Sequence, residues 1–378
     1  MKSLVAARHF NGERYCTEPV TVVIDGGRIV DVLDGEQAVG DSLGHYPFVM
    51  PGLVEGHCYL FLNGADLDFV RRAEYLDTSL ERMMITAREN VARCLAHGVT
   101  LVRDAGDRYG VNHRIRAESS VCTVRSAGIA LRRPKRYGAF MAREVATPEE
   151  VRVAVRELAA SADDLKIIQT GIIDFDAGVV KGSPQFDLEA LSLIVRLAHD
   201  AGIKTFAHCS GAEGIQVAVD AGVDSIEHGF FMTKEILRKM AGQGTAWVPT
   251  FSPVDFQWRY PAAVGWSEDT VAKLRAILDA HHDHVAMAAE MGVNLVAGSD
   301  AGSPGVDHGR GLIDEIFHFL DCGMTMKQAL QAASTCPRRL WDADPADISI
   351  GHRANLIVMD ADPFTDRHAL LRVTGVVQ

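Results

Sequence analysis

Along most of the chain, short runs of β-branched and other apolar residues alternate with longer segments whose apolar residues recur every three or four positions. The short runs are FVMPGLVEGH (48–57), VTLVRD (99–104), CTVRSAGIAL (122–131), DLKIIQT (164–170), IKTFAH (203–208), DSIEH (224–228), TAWVPT (245–250) and VNLVAGSD (293–300). Their length and composition predict strands. The longer segments predict amphipathic helices. In TPEEVRVAVRELAASA, Thr147 is placed to cap a helix and Pro148 to open it, and in DLEALSLIVRLAHDAG, Gly202 provides the stop. Strand followed by helix, eight times over, predicts an α/β fold, a closed parallel (β/α)8 TIM-type barrel rather than an open sheet. The third strand is the least clearly marked.

Both ends break this rhythm. Residues 1–46 alternate in the manner of short strands, with Asp25-Gly26 and Asp34-Gly35 as hairpin signals, and the style returns after about residue 345 in GHRANLIVMDADPF. The expected division is therefore a small β-sandwich from 1–46 plus 345–378 and a barrel from 47–344. Repeats, low-complexity tracts and long linkers are absent from the sequence.

Composition narrows the class. With 378 residues, 47% hydrophobic and 23% charged, the chain is that of a soluble globular protein able to bury a large core. A formal charge of −12 argues against nucleic acid as a partner. No apolar run approaches the roughly 20 residues of a membrane span, and the opening MKSLVAARHFNGERYC lacks a secretory apolar segment. The seven cysteines are scattered, odd in number and without a CxxC pair, which fits reduced thiols in the cytoplasm. The expected partners are a small-molecule substrate and further copies of the chain, as a homo-oligomer.

Function in such a barrel sits at the C-terminal ends of the strands. There the sequence places His57 on strand one, Arg103-Asp104 on strand two, Lys166 on strand four, His208 on strand five, His228 on strand six and Asp300 on strand eight. Singly, each has a plain structural use. A lone histidine is more often a hydrogen-bonded structural residue than a ligand, Lys166 would normally pair with an acid, and Asp300 in GSDAG suits a turn. Jointly they are the imidazole and carboxylate groups that suit zinc and similar divalent ions.

PGLVEGH, DDLKIIQTG, AGIKTFAHCSGAEGIQVAVDAGVDSIEHG, VNLVAGSDAG and GHRANLIVMDADPF together resemble the amidohydrolase superfamily of metal-dependent hydrolases, in particular its imidazolonepropionase-like and prolidase-like branch. The resemblance runs over nearly the whole chain. It implies that Lys166 carries a CO2-derived carbamate bridging two divalent ions, most simply zinc. It also implies that His208 and His228 hold the more exposed ion, and that Asp300 holds the buried one and moves the proton of the attacking water. The implied reaction is hydrolysis of an amide-type C–N bond in a peptide, an N-acyl amino acid, a cyclic amide or a urea. The sequence departs from the family at strand one, where an HxH element reads His57-Cys58-Tyr59. Tyr59 leaves three outcomes open: a weakened or empty buried position, a tyrosinate ligand, or a silent relative. A lyase, isomerase or decarboxylase on the same scaffold is the alternative chemistry. Cys58, pointing to the other side of the strand, is expected in the core.

Weaker signals complete the picture. His281, His282 and His284 in HHDHVAMAAEMG have the spacing of a polar face on an outer helix. His308, in the loop after Asp300, is expected to shape the pocket. Arg132, Arg133, Arg136 and Tyr137 after strand three offer basic and phenolic groups for a substrate carboxylate. Phe256, Trp258 and Tyr260 after strand seven suggest an apolar or aromatic substrate portion. The expected substrate contacts are thus Tyr137, Arg136, His308 and Trp258.

Overall fold

A computed structural model describes all 378 residues. Eight parallel strands form the barrel: Leu53–Cys58, Val99–Asp104, a third in two pieces, Asp164–Ile168, Lys204–Cys209, Ser225–His228, Ala246–Val248 and Asn294–Leu295. The third strand, expected as one run over 122–131, is split. Thr123–Ser126 pairs with the second strand, and Ala130–Arg132 turns to meet the fourth through Leu131 and Ile167. Gly128, with φ +67°, takes the left-handed bend between the pieces, a conformation that glycine adopts without a steric penalty.

The seam between the last and first strands is made differently. The regular part of the last strand is only Asn294–Leu295, shorter than the run 293–300. Beyond it, Gly56 N donates to Ala297 O (2.9 Å), Asp300 N to His57 O (2.7 Å) and Tyr59 N to Ala301 O (2.9 Å). The backbones approach so closely that a Cβ on Gly298 would lie 2.8 Å from His57 N. The Glu55 carboxylate fastens the seam by accepting from Ser299 N (2.8 Å), Ser299 Oγ (2.6 Å) and His57 N (3.0 Å).

The helices pack outside as their periodicity predicts. Helix Pro148–Ala159 starts at a Thr147–Glu150 capping box and buries Val151, Ala154, Val155 and Leu158, one stripe at i, i+3, i+4 and i+7. Helix Glu268–Met291 departs from expectation. His281 lies on its inward stripe with Leu274, Ile277, Leu278 and Val285 rather than on a polar face. Its ring stacks on Phe230 (3.8 Å between centroids) and its Nε2 meets Pro249 O at 3.0 Å. His282 is half-buried and meets His318 at 3.2 Å.

The two termini share one seven-stranded sheet. Its order is Val373–Val377, Leu356–Met359, Asp41–Pro51, Lys2–Phe10, Val20–Asp25 and Arg28–Asp34, with Tyr15–Cys16 alongside Lys2–Phe10. The sheet folds over on itself where Gly351 N donates to Ile29 O (2.7 Å) and Ala354 N to Gly27 O (2.9 Å). This encloses Leu4, Val22, Ile24, Val49, Leu356 and Val358 as a separate apolar layer. Strand Asp41–Pro51 runs past residue 46 and leads through Gly52 into the first barrel strand. No helix is long and apolar enough to cross a membrane.

Candidate active site

The strand tips deliver five polar side chains to one end of the barrel. His57 and Lys166 are fully buried, with Lys166 Nζ 3.4 Å from His57 Nε2. Asp300 Oδ1 lies 3.6 Å from the same nitrogen. The His228 ring centroid is 5.1 Å from that of His57 and 4.7 Å from that of His208. His208, His228, Asp300 and Tyr59 line the inner end of a cavity of about 560 Å³. Its walls are largely apolar, with Phe140, Phe175 and Trp266 from three different connections.

Three of these tips strain the backbone. His228, Thr250 and Asp300, ending strands six, seven and eight, have φ of +67°, +49° and +57°. Left-handed conformations in non-glycine residues cost about 1–3 kcal/mol each and persist where the surroundings impose them. Here the surroundings include Thr250 Oγ1 at 2.7 Å from His228 Nδ1 and Ser303 Oγ donating to Asp300 Oδ2 at 3.0 Å.

The electrostatics favour neutral imidazoles and an uncharged amine. Burial, reinforced by Lys166 and Arg103, holds His57 far below the ordinary histidine range. Burial and then Lys166 lower His208 to about 3, and burial with the neighbouring histidines lowers His228. The Lys166 ammonium is disfavoured by burial, with Arg103 adding to the effect and Glu227 and Asp300 opposing it. Burial raises Asp300, against the pull of Lys166.

The donor set suits a divalent cation. Two of the imidazoles have Nδ1 engaged by the protein: His57 with Glu227 at 2.5 Å and His228 with Thr250. This is how ligating histidines are commonly oriented, with the other nitrogen left for the metal. His208 Nε2 and Asp300 Oδ1 are buried without any partner in the protein, and such groups are normally satisfied. Without the lysine, the His, Cys, Asp and Glu side chains nowhere form a three-membered cage. Lys166 Nζ stands 3.4 Å from His57 Nε2, and burial favours its neutral amine.

Not every expected residue reaches the cavity. Tyr137 lines it, with its ring 5.2 Å from that of His208. Arg136 does not, because its guanidinium donates to Ser183 O. Arg132 pairs with Glu144 (2.8 Å), and Arg133 donates to Ala146 O (2.6 Å). Trp258 lies under Arg275, 4.9 Å from its guanidinium carbon, and Trp266 takes the place on the wall. His308 is buried behind strand one, with Nε2 3.2 Å from Tyr59 O, so it supports the tip rather than facing the cavity. Cys58 is in the core as expected. Tyr59 donates its hydroxyl to Met141 Sδ at 3.2 Å, and burial, with Asp300 next, holds the phenol well above its usual range and thus neutral.

Sequence reasoning missed three contributors, Glu55, Glu227 and Arg72. Glu55 and Glu227, like Arg103 at the tip of strand two, are buried charges inside apolar strands, and that incongruity was the available signal. Arg72 lines the cavity from helix Phe69–Tyr75, donating to Gly302 O at 2.7 Å and Asn63 O at 2.7 Å. Nothing in its local sequence marks it.

Comparison with known proteins agrees with this geometry. The family model described as the Amidohydrolase family matches residues 48–377. An uncharacterized protein of Mycobacterium tuberculosis is 29% identical over 344 residues, covering 90% of this chain and 85% of the relative. Ochratoxinase from Aspergillus niger is 28% identical over 246 residues, 64% of this chain and 50% of that enzyme. The crystal structure of a Xaa-Pro dipeptidase with methionine bound in its active site superposes with a TM-score of 0.84 at 27% identity, covering 99% of this chain and 97% of that one.

Proposed function

The chain belongs to the amidohydrolase family, and from that premise we propose that it is a metal-dependent hydrolase of an amide-type C–N bond in a small molecule. The observation that carries the reading is the pair of buried atoms without a protein partner, His208 Nε2 and Asp300 Oδ1, beside Lys166 and His57 at the inner end of the cavity. His57, Lys166 as its carbamate, His208, His228 and Asp300 would hold one or two divalent ions, zinc foremost. Such an ion supplies Lewis acidity and lowers the pKa of water to about 7.

The chain's own residues supply the rest. As a carboxylate with Oδ1 free, Asp300 accepts a proton from water, holds it because burial favours the protonated form, and returns it to the departing nitrogen. Tyr137 stands beside His208, where its phenol can orient a substrate oxygen. The apolar walls receive the body of the substrate and exclude bulk water from the reacting bond. The ochratoxinase and Xaa-Pro dipeptidase among the relatives support a substrate with an amide or peptide bond.

Tyr59 favours one ion over two, because its hydroxyl is taken by Met141 and its phenol is held neutral. The test is a metal count on purified protein, on Lys166→Ala and on Tyr59→His, followed by turnover of a panel of amides in heavy-oxygen water. At least one ion per chain, lost in Lys166→Ala, and label in the product are expected. A wild type without stoichiometric metal, or activity untouched in Lys166→Ala, overturns the reading. Unlabelled product would instead favour a lyase, isomerase or decarboxylase.

A further inference from the structure

Three buried side chains from three different strands form a line across the barrel interior. Arg103, on strand two, donates from Nη2 to Glu227 Oε1 at 2.8 Å. Ser225 Oγ donates to the same oxygen at 2.7 Å. Glu227 Oε2 is left for His57 Nδ1, 2.5 Å away. Arg103 and Glu227 are 2% and 0% exposed, so water does not compete for these bonds.

The guanidinium is itself held from several sides. Arg103 Nε donates to Gly56 O at 2.9 Å, on the strand that carries His57. The Phe206 and Trp341 rings flank the charge at 4.3 Å and 4.6 Å. Trp341 caps helix Thr335–Leu340 and, with Arg103, borders a second hollow of about 380 Å³ away from the site. The line therefore starts outside the cavity and ends at His57, whose ring lies 5.1 Å from that of the cavity-lining His228.

We infer that Glu227, braced by Arg103, is the positioning residue that fixes His57 with its proton on Nδ1 and its Nε2 lone pair turned toward Lys166 and Asp300. A carboxylate paired with a guanidinium only accepts hydrogen bonds, so the imidazole nitrogen facing it must be the one bearing hydrogen. The other nitrogen is then the acceptor, with Lys166 Nζ at 3.4 Å and Asp300 Oδ1 at 3.6 Å. The consequence for ion binding rests on the functional reading above, in which His57 Nε2 is a ligand. The tautomer itself does not.

Glu227→Gln is the informative variant. Arg103 and Ser225 both need an acceptor at Oε1, so the glutamine oxygen occupies that place and its NH2 faces His57. The imidazole must then accept at Nδ1 and carry its proton on Nε2. In the metal-free protein, nitrogen-15 NMR of labelled histidines is expected to show His57 with hydrogen on Nδ1 in the wild type and on Nε2 in Glu227→Gln. Affinity for Co²⁺, read from its visible spectrum, is expected to fall roughly 10–100-fold in Glu227→Gln. Glu227→Asp, which keeps an acceptor-only group, is expected to restore the wild-type tautomer and much of the affinity. A wild-type His57 with hydrogen on Nε2, or a Glu227→Gln protein unchanged in both measurements, overturns the inference. A wild-type chain that takes up no metal refutes the functional reading alone, because the histidine signals are recorded without metal.

Discussion

Removing the Arg103 charge while leaving Glu227 in place should be among the most damaging single changes in the barrel. The two groups meet at 2.8 Å with 2% and 0% exposure, so Arg103→Met strands a carboxylate where water cannot reach it. Breaking such a buried pair from one side costs about 3–5 kcal/mol. The contacts with Phe206 and Trp341 add about 0.5–2 kcal/mol each when a cation is lost from over a ring, part of which the methionine recovers by packing. A loss near 4 kcal/mol is expected for Arg103→Met. Glu227→Gln keeps one acceptor for Arg103 and should lose about 2 kcal/mol, the range for a hydrogen bond to a charged group. In the double variant no buried charge remains, so the loss should be near 3 kcal/mol rather than the sum of about 6, a coupling within the range for contacting residues. Urea unfolding of the metal-free proteins at pH 7, followed by circular dichroism, reads all four corners of this cycle. Losses that add to within about 0.5 kcal/mol would refute the reasoning, since independent sites behave that way.

Other consequences can be checked in the same preparations. Glu315 is buried and accepts from Phe251 N (3.1 Å), Ser252 N (2.7 Å) and Ser252 Oγ (2.5 Å), and burial raises its carboxyl to about 8. A folded value above the ordinary one means that its contribution is complete below about pH 4.5 and is lost as pH rises through about 8. The wild-type urea midpoint should therefore decline from pH 5 to 9 more steeply than that of Glu315→Gln, and equal slopes would show that burial does not govern this group. Gly298→Ala places a Cβ 2.5 Å from Val248 Cγ1 and 2.8 Å from His57 N. It should lower both the melting temperature and the metal content, and a normal metal content would mean that the seam does not position His57. Thr147→Ala removes the cap on Glu150 N and should lower stability by about 1 kcal/mol, with no change in metal content.

The barrel was legible because short apolar runs alternate with helical segments, and most of those runs end in a polar residue that packing does not explain. His57, Lys166, His208, His228 and Asp300 are brought together for that reason, by strands whose positions follow from their order. What the sequence concealed depends on contacts distant along the chain. His281 has polar neighbours, and only the direction of helix Glu268–Met291 against Phe230 turns it inward. The cavity wall relies on Phe175 meeting Trp266 at 6.1 Å and on Thr270 donating to Asp176, which join a hairpin after strand four to the excursion after strand seven. Arg136 and Trp258 stand in the expected loops, yet their side chains are satisfied by Ser183 and Arg275 and turn away from the cavity. The last strand was overestimated because its far half joins its neighbour through irregularly spaced backbone bonds and Glu55 rather than through a regular ladder.

The backbone at residues 228, 250 and 300 carries an implication for anyone wishing to toughen this molecule. Glycine tolerates the conformation that histidine, threonine and aspartate are forced into there. His228→Gly and Asp300→Gly should thus relax the chain while deleting the groups that give these places their use. A selection for heat resistance alone would drift toward such replacements and yield a sturdier barrel with an inert mouth. Sequences that look like improved versions of this protein, but have glycine at those tips, would be scaffolds that have relinquished chemistry.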